Sequence, residues 1–332
     1  MKPMQSAARG SWRDFVITVV LLWAAAVAAA YFYSRQEHVP ASIVSAVLPA
    51  FLIELAFYIA PAFGAIRRTL DRAFSRVSLA IVLTLAAVLP WTIAALGLHT
   101  FTIVNFALLT ALAAVAAFWY VWLRPSLAAD LLFLAYLAAI YLSHIFARLY
   151  GTPLPHVQLN ILGHLMWIRT GALAVLVLRR LDTQFGFIPN GLEWLTGVEY
   201  FAFFMPVGVL LGWSLRLIRF HPAPIVWWKL PFVAVGTYFG ILWVVALGEE
   251  FFFRGFLQHV LMRRTGSDAA GLILASVLFG VAHLPYRPNW RFAALTTVLG
   301  LFCGLAYNKA RSMRASMVTH ALVVTTFRLL FA

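Results

Sequence analysis

Charge is what this sequence has least of. Only 11% of its 332 residues are Asp, Glu, Lys or Arg, and just 11 are acidic, whereas soluble domains carry about a quarter charged residues. So few polar groups cannot cover the surface of a water-soluble chain this long, which excludes an ordinary globular protein. There is one cysteine, Cys303, so a disulfide framework and a cysteine-based zinc site are both excluded. Alternation at period two is missing, and with it the signature of a lipid-facing β-barrel. The chain also lacks internal repeats, low-complexity linkers, a soluble domain and any sugar, nucleotide or haem motif.

Apolar residues make up the balance: 63% hydrophobic, with a mean hydropathy of +0.90. They come in runs near the roughly 20 residues needed to cross a bilayer as a helix. The runs are Phe15–Ser34, Ala41–Ala65, Val77–Leu98, Phe101–Leu123, Leu127–Ala147 and Val157–Leu178, then Val198–Ile218, Leu230–Leu261, Gly271–His283, Arg291–Tyr307 and Ser316–Phe331. Spanning segments must satisfy their own backbone hydrogen bonds, so the expected fold is all-α, a polytopic transmembrane bundle of about 9–11 spans. The first run reads as a retained signal anchor. Gly271–His283 is short for a crossing, and Leu230–Leu261 is long enough to be kinked or broken.

The formal net charge of +14 is spread between the runs, heavier in alternate loops. With Lys2, Arg9 and Arg13 inside, the bias is that of a membrane protein, although Arg216, Arg219 and Lys229 fall on the other side and the outside loops keep Arg287. Membrane lipid is therefore the expected partner, and no aromatic-interleaved basic patch points to nucleic acid. Trp12, Trp91, Trp119, Trp122, Trp194, Trp227 and Trp228 sit near run ends, where an interfacial belt is expected. The longest polar interruption, Arg179–Gly197, holds the turn signal Pro189-Asn190-Gly191. It divides an N-terminal helical region, 1–190, from a C-terminal catalytic region, 191–332.

A charge at mid-membrane costs about 2.5–3.5 kcal/mol and is by default a functional-site hypothesis. The densest case is Gly248-Glu249-Glu250-Phe251-Phe252-Phe253-Arg254. Glu250 and Arg254 are four apart with the acid N-terminal, the favoured order for a helical pair. Glu249 points about 100° away, which leaves it aimed elsewhere and available for chemistry. His283 and His320, on later segments, are its candidate partners, and one carboxylate with two imidazoles from three helices makes an inward-facing site. Phe279, four residues before His283, reads as packing.

Glu249-Glu250-x-x-x-Arg254, then Phe279-x-x-x-His283, then His320 in a last apolar helix resemble the three motifs of the CAAX-processing and bacteriocin-processing (CPBP) intramembrane endopeptidases, also called the abortive-infection family. The resemblance spans Gly240–Phe327, about a quarter of the chain. It implies a glutamate-dependent intramembrane endopeptidase acting on a peptide or protein substrate at the membrane, in a bacterial plasma (inner) membrane. On that likeness Glu249 activates water with help from His283, His320 contributes to the oxyanion hole, and Glu250, Arg254 and Phe279 support the site. One position departs: the third motif usually continues His-x-x-x-Asn or Asp, and here Val324 stands there. Losing one oxyanion donor typically costs about 10²–10³ in rate. Thr319, Thr325 or a backbone N–H are the candidate substitutes, and a catalytically silent peptide-binding relative is the alternative reading.

Water hydrolysis suits these groups, since no serine or cysteine nucleophile stands beside a histidine within its own helix. No cofactor is expected. Zinc is the mechanistic competitor, because His and Glu are good ligands and some family members are described as metalloproteases, but there is no His-Glu-x-x-His motif. Elsewhere Glu54, Asn105, Asp130, His144, His164 and Arg169 lie within apolar runs, Asp130 and His144 on similar faces of one segment. They suit either interhelical hydrogen bonds or the coupling sites of an ion-coupled transporter, though no duplicated halves support the latter.

Overall fold

The computed structural model describes residues 10–285 and 288–331; Lys2, Arg9 and Arg287 lie outside the described residues. All eleven apolar runs are helical. Eight helices are long and apolar enough to cross a membrane, Leu127–Leu142 and Asp268–Ala282 are shorter apolar helices, and no strand is present among the described residues beyond two isolated bridges. The chain is an integral, multi-pass, all-helical membrane protein. Its contacts divide it into two compact units, 1–182 and 183–332.

In the first unit, α1 (Trp12–Gln36), α2 (Ala41–Ile59), α3 (Gly64–Ala73), α4 (Arg76–Gly97), α5 (Ile103–Trp122), α6 (Leu127–Leu142) and α7 (Ile145–Tyr150) precede α8 (Asn160–Leu178). Helix α8 is enclosed along almost all of its length, against α2, α4, α5 and α7. That centre is where the stray charges meet. Arg169 of α8 donates from Nε and Nη2 to Glu54 of α2 at 2.7 and 2.9 Å, and from Nη2 to the Ala86 carbonyl at 2.7 Å. Asp130 accepts from Arg179 at 2.6 and 2.7 Å and from the Tyr120 hydroxyl at 2.9 Å. Glu54 and Asp130, two of the acids a transporter would use for coupling (the third being Glu249), are thus held in pairs with Arg169 and with Arg179 at the end of α8. His144 takes a left-handed conformation (φ 54°) that ends α6 and begins α7, so it does not share a helix with Asp130. Trp91 is not interfacial either: it is buried and donates to the Leu149 carbonyl at 2.8 Å.

The second unit contains α9 (Gly191–Ser214), α10 (Leu230–Thr265), α11 (Asp268–Ala282), α12 (Trp290–Ala310) and α13 (Met313–Leu330). Helix α9 starts earlier than its apolar run because Asn190 and Glu193 form a reciprocal cap, at 2.7 and 3.0 Å, and a capping box nucleates a helix irrespective of hydropathy. Helix α10 is unbroken. It runs for 36 residues, with wide i→i+5 turns at Ile241–Ala246 and Phe251–Gln258 flanking the glutamates, and such π-turns tend to mark functional positions. Helix α11 packs against α12 so tightly that a Cβ on Gly280 would lie 1.9 Å from Thr297 Oγ1 and 2.5 Å from the Ala293 carbonyl.

Removing one member of an enclosed ion pair strands the other, at about 3–5 kcal/mol. Arg169→Leu is therefore expected to lower the melting temperature of the purified protein sharply. The double variant Glu54→Leu/Arg169→Leu is expected to recover most of that loss, as read by thermal unfolding in detergent.

Candidate active site

Helix length sets the depth of the site. Sixteen positions separate Glu249 from Thr265 at the end of α10, and fifteen separate Asp268 from His283. At about 1.5 Å per residue these are nearly equal rises of about 24 and 22 Å. Helix α11 packs back along the end of α10, so its shortness is what brings His283 level with Glu249.

Glu250 and Arg254 are both buried, and their i,i+4 pair closes as the sequence implies, Nη1 to Oε1 at 2.9 Å. The remaining contacts of these two residues are interhelical. Arg254 Nη2 donates to the Gly300 carbonyl of α12 at 3.1 Å. Its guanidinium lies 4.3 Å from the centroid of Phe279, a cation–π contact. Phe279 therefore does more than pack: it covers the guanidinium and touches the rings of His283 and His320, with centroids 4.6 and 6.0 Å away.

Sequence assigned His320 to Glu249. Its direct bond is instead with Glu250, Nδ1 to Oε1 at 2.7 Å. Glu250 Oε1 thus receives both Arg254 and His320. Glu249, with its side chain 30% exposed, faces both imidazoles: His283 Nε2 and His320 Nε2 lie 3.8 and 3.9 Å from its Oε2. These separations exceed a direct hydrogen bond and suit a single water shared between the groups. His283 Nδ1 sits 2.8 Å from the Phe279 carbonyl. A carbonyl only accepts, so Nδ1 carries the proton and a neutral His283 presents a lone pair on Nε2 toward Glu249. Glu249 Oε2 itself is enclosed without a hydrogen-bond donor among the described residues.

His283, His320 and Phe279 border a cavity of about 320 Å³ in the second unit, lined also by Val324, Phe327 and ten further residues from α9, the segment after it, α12, α13 and the residue that follows α13. Val324 lines it; Thr319 and Thr325 do not. Thr319 is buried and donates to the Gly197 carbonyl at 2.9 Å, so its hydroxyl is committed elsewhere.

Cys303, which sequence left without a partner, is buried beside Glu250 and His320, and one ligand atom from each of the three falls within 4.8 Å of the others. The set does not suit a cation, because the Arg254 guanidinium already occupies the same Glu250 oxygen and would oppose a second positive charge. No spacing in the sequence signals this neighbour, which comes from α12.

The structure thus brings a carboxylate and two imidazoles from three helices together beside a largely apolar cavity. Residues 231–326, under a third of the chain, match the family model described as type II CAAX prenyl endopeptidase Rce1-like. The match contains Glu249, Glu250, Arg254, Phe279, His283 and His320. The chain matches no curated protein and no solved structure.

Arg254→Lys retains the charge but not the planar fork that serves Glu250 and Gly300 together and stacks on Phe279. A loss of about 1–3 kcal/mol in stability is expected, measured as a lower melting temperature in detergent.

Proposed function

We propose that the protein is an endopeptidase that hydrolyses a membrane-associated peptide through a water activated by Glu249. The observation that carries this reading is the convergence of Glu249 Oε2 with the Nε2 atoms of His283 and His320 at 3.8 and 3.9 Å. Glu249 takes a proton from the water and His283, held by the Phe279 carbonyl, orients or shares it. The water oxygen attacks the scissile carbonyl, and the proton passes to the leaving amine. His320, braced by Glu250, stabilises the tetrahedral oxyanion when its Nε2 carries a proton. Arg254 and Phe279 keep Glu250 in place.

In this proposal the reaction proceeds without a metal; Arg254 already bonds Oε1 of Glu250, beside Cys303 and His320. It takes place in a bacterial plasma membrane, the setting the motif resemblance implies. Val324 favours a second reading, a silent relative that binds peptides without cutting them.

Two variants test these readings with quenched-fluorescent membrane peptides. Glu249→Gln is expected to reduce cleavage by at least about 10² with the fold retained, and a zinc chelator to leave wild-type cleavage unchanged. Loss on chelation would sink the metal-free mechanism. Val324→Asn, which puts an amide donor on the cavity wall, is expected to raise kcat by about tenfold or more. A wild type inert across peptides and lipids would select the silent relative.

A further inference from the structure

Three arginines that no carboxylate answers stand on one short helix of the first unit, α3. The acids of this unit are Asp14, Glu37, Glu54, Asp71, Asp130 and Asp182. Asp14 is held with Ser11 in the cap of α1, and Glu37 accepts from Gln36. Glu54, Asp71 and Asp130 pair with Arg169, Arg180 and Arg179, and Asp182 acts on Arg67 only through space. Among the described residues Arg67, Arg68 and Arg72 therefore make no ion pair.

The chain fixes where these charges lie. Helix α3 fills the connection between α2 and α4, and the two spanning helices there, Ala41–Ala62 and Arg76–Gly97, are separated only by residues 63–75. A segment tied to a span at each end stays at the membrane surface. Its apolar side faces the protein: Ile66 is buried, Leu70 is half-buried, and the helix packs on the last turn of α8. Trp12 Nε1 donates to Thr69 Oγ1 at 3.3 Å, and the Ala65 N–H to the Gly10 carbonyl at 3.2 Å. Arg68 and Arg72 each follow an inward residue by two positions, about 200° round the helix, and both are exposed.

The local geometry is that of a site for an anion. Asp71 stands four residues after Arg67, the spacing of a helical pair, but its carboxylate is taken by Arg180 at 2.9 and 3.2 Å. Arg67 Nε is enclosed without an acceptor among the described residues. Burial and the adjoining Arg68 charge hold the Arg67 pKa below its usual value, and an anion here relieves the second of these. Arg68 and Arg72, four apart, are like charges on one face and repel each other. About 6 Å of rise separates them, a gap that one phosphate bridges, and guanidinium groups grip phosphate through parallel hydrogen bonds. Arg76 is not part of the set, because its guanidinium donates to the Tyr120 and Leu178 carbonyls.

We propose that Arg67, Arg68 and Arg72 bind the phosphodiester headgroup of an anionic phospholipid. The membrane is the source because α3 is held at the level of the headgroups, where basic segments attract anionic lipid. The site lies in the first unit and is independent of the protease reading.

The test uses the full chain in neutral detergent micelles, titrated with phosphatidylglycerol or phosphatidylcholine, with bound lipid counted by native mass spectrometry. Wild type is expected to bind phosphatidylglycerol about tenfold or more tighter than phosphatidylcholine, and Arg68→Gln/Arg72→Gln to lose most of that preference. Arg68→Lys/Arg72→Lys is expected to keep part of it. Arg263→Gln/Arg264→Gln, which removes two exposed charges at the end of α10, is expected to keep all of it. Equal binding of the two lipids by wild type overturns the proposal, and so does an equal loss in the two Gln pairs, which would report net charge alone. Displacement of phosphatidylglycerol by an equal concentration of inorganic phosphate overturns the lipid as the source. Should Arg68→Gln/Arg72→Gln fail to fold, Arg72→Gln alone is expected to weaken phosphatidylglycerol binding about threefold or more, and unchanged binding in that variant overturns the assignment to α3.

Discussion

One oxygen atom organises the second unit. Glu250 Oε1 accepts from Arg254 within its own helix and lies 2.7 Å from His320 Nδ1 on α13. Both charged residues are buried, in a protein with no water around its apolar faces, so each depends on the others for solvation. Separating α13 from α10 would leave the buried Glu250 carboxylate without one of its two partners. Arg254 extends the same tie to α12 through the Gly300 carbonyl, and Phe279 of α11 covers its other face. Four helices are therefore clamped around one ionic group, and the position of every reacting side chain follows from that clamp.

Adjacent glutamates take opposite roles because of where a helix points them. Glu250 faces the protein interior and is consumed by structure, whereas Glu249, a turn-fraction away, keeps 30% of its side chain open and faces His283 and His320. The wide turns on either side of Leu247–Glu250 adjust the rotation of α10 at this point without interrupting it. His283 has the complementary preparation: its own helix ends one residue earlier, and the carbonyl four residues back fixes its proton on Nδ1. The ring orientation of His283 is thus set by its own helix.

The same accounting explains the first unit without chemistry. Glu54 with Arg169 and Asp130 with Arg179 each form two-pronged pairs between helices. An acid in an apolar run is an anomaly by composition, but its meaning depends on whether a partner satisfies it. There both acids are fully engaged. In the second unit Glu249 alone lacks a basic side chain of its own, and that difference separates a structural charge from a candidate catalytic one.

The sequence by itself determined the solvent, the helical class and the anomalous residues, because these depend on composition and on spacings of a few positions along one chain. The Glu250–Arg254 pair was legible for that reason, being set by helical periodicity alone. Glu249, His283 and His320 were legible as a set from the motif order. Only the tertiary structure decided which carboxylate His320 bonds, since the two residues are 70 positions apart and periodicity says nothing about how separate helices are rotated against each other. It also decided that Phe279 covers a cation, that Cys303 adjoins the site, and that Thr319 is spent on the Gly197 carbonyl. Each of these is a contact between faces of different helices, fixed by close packing and by the need to satisfy buried charge rather than by any pattern within one segment.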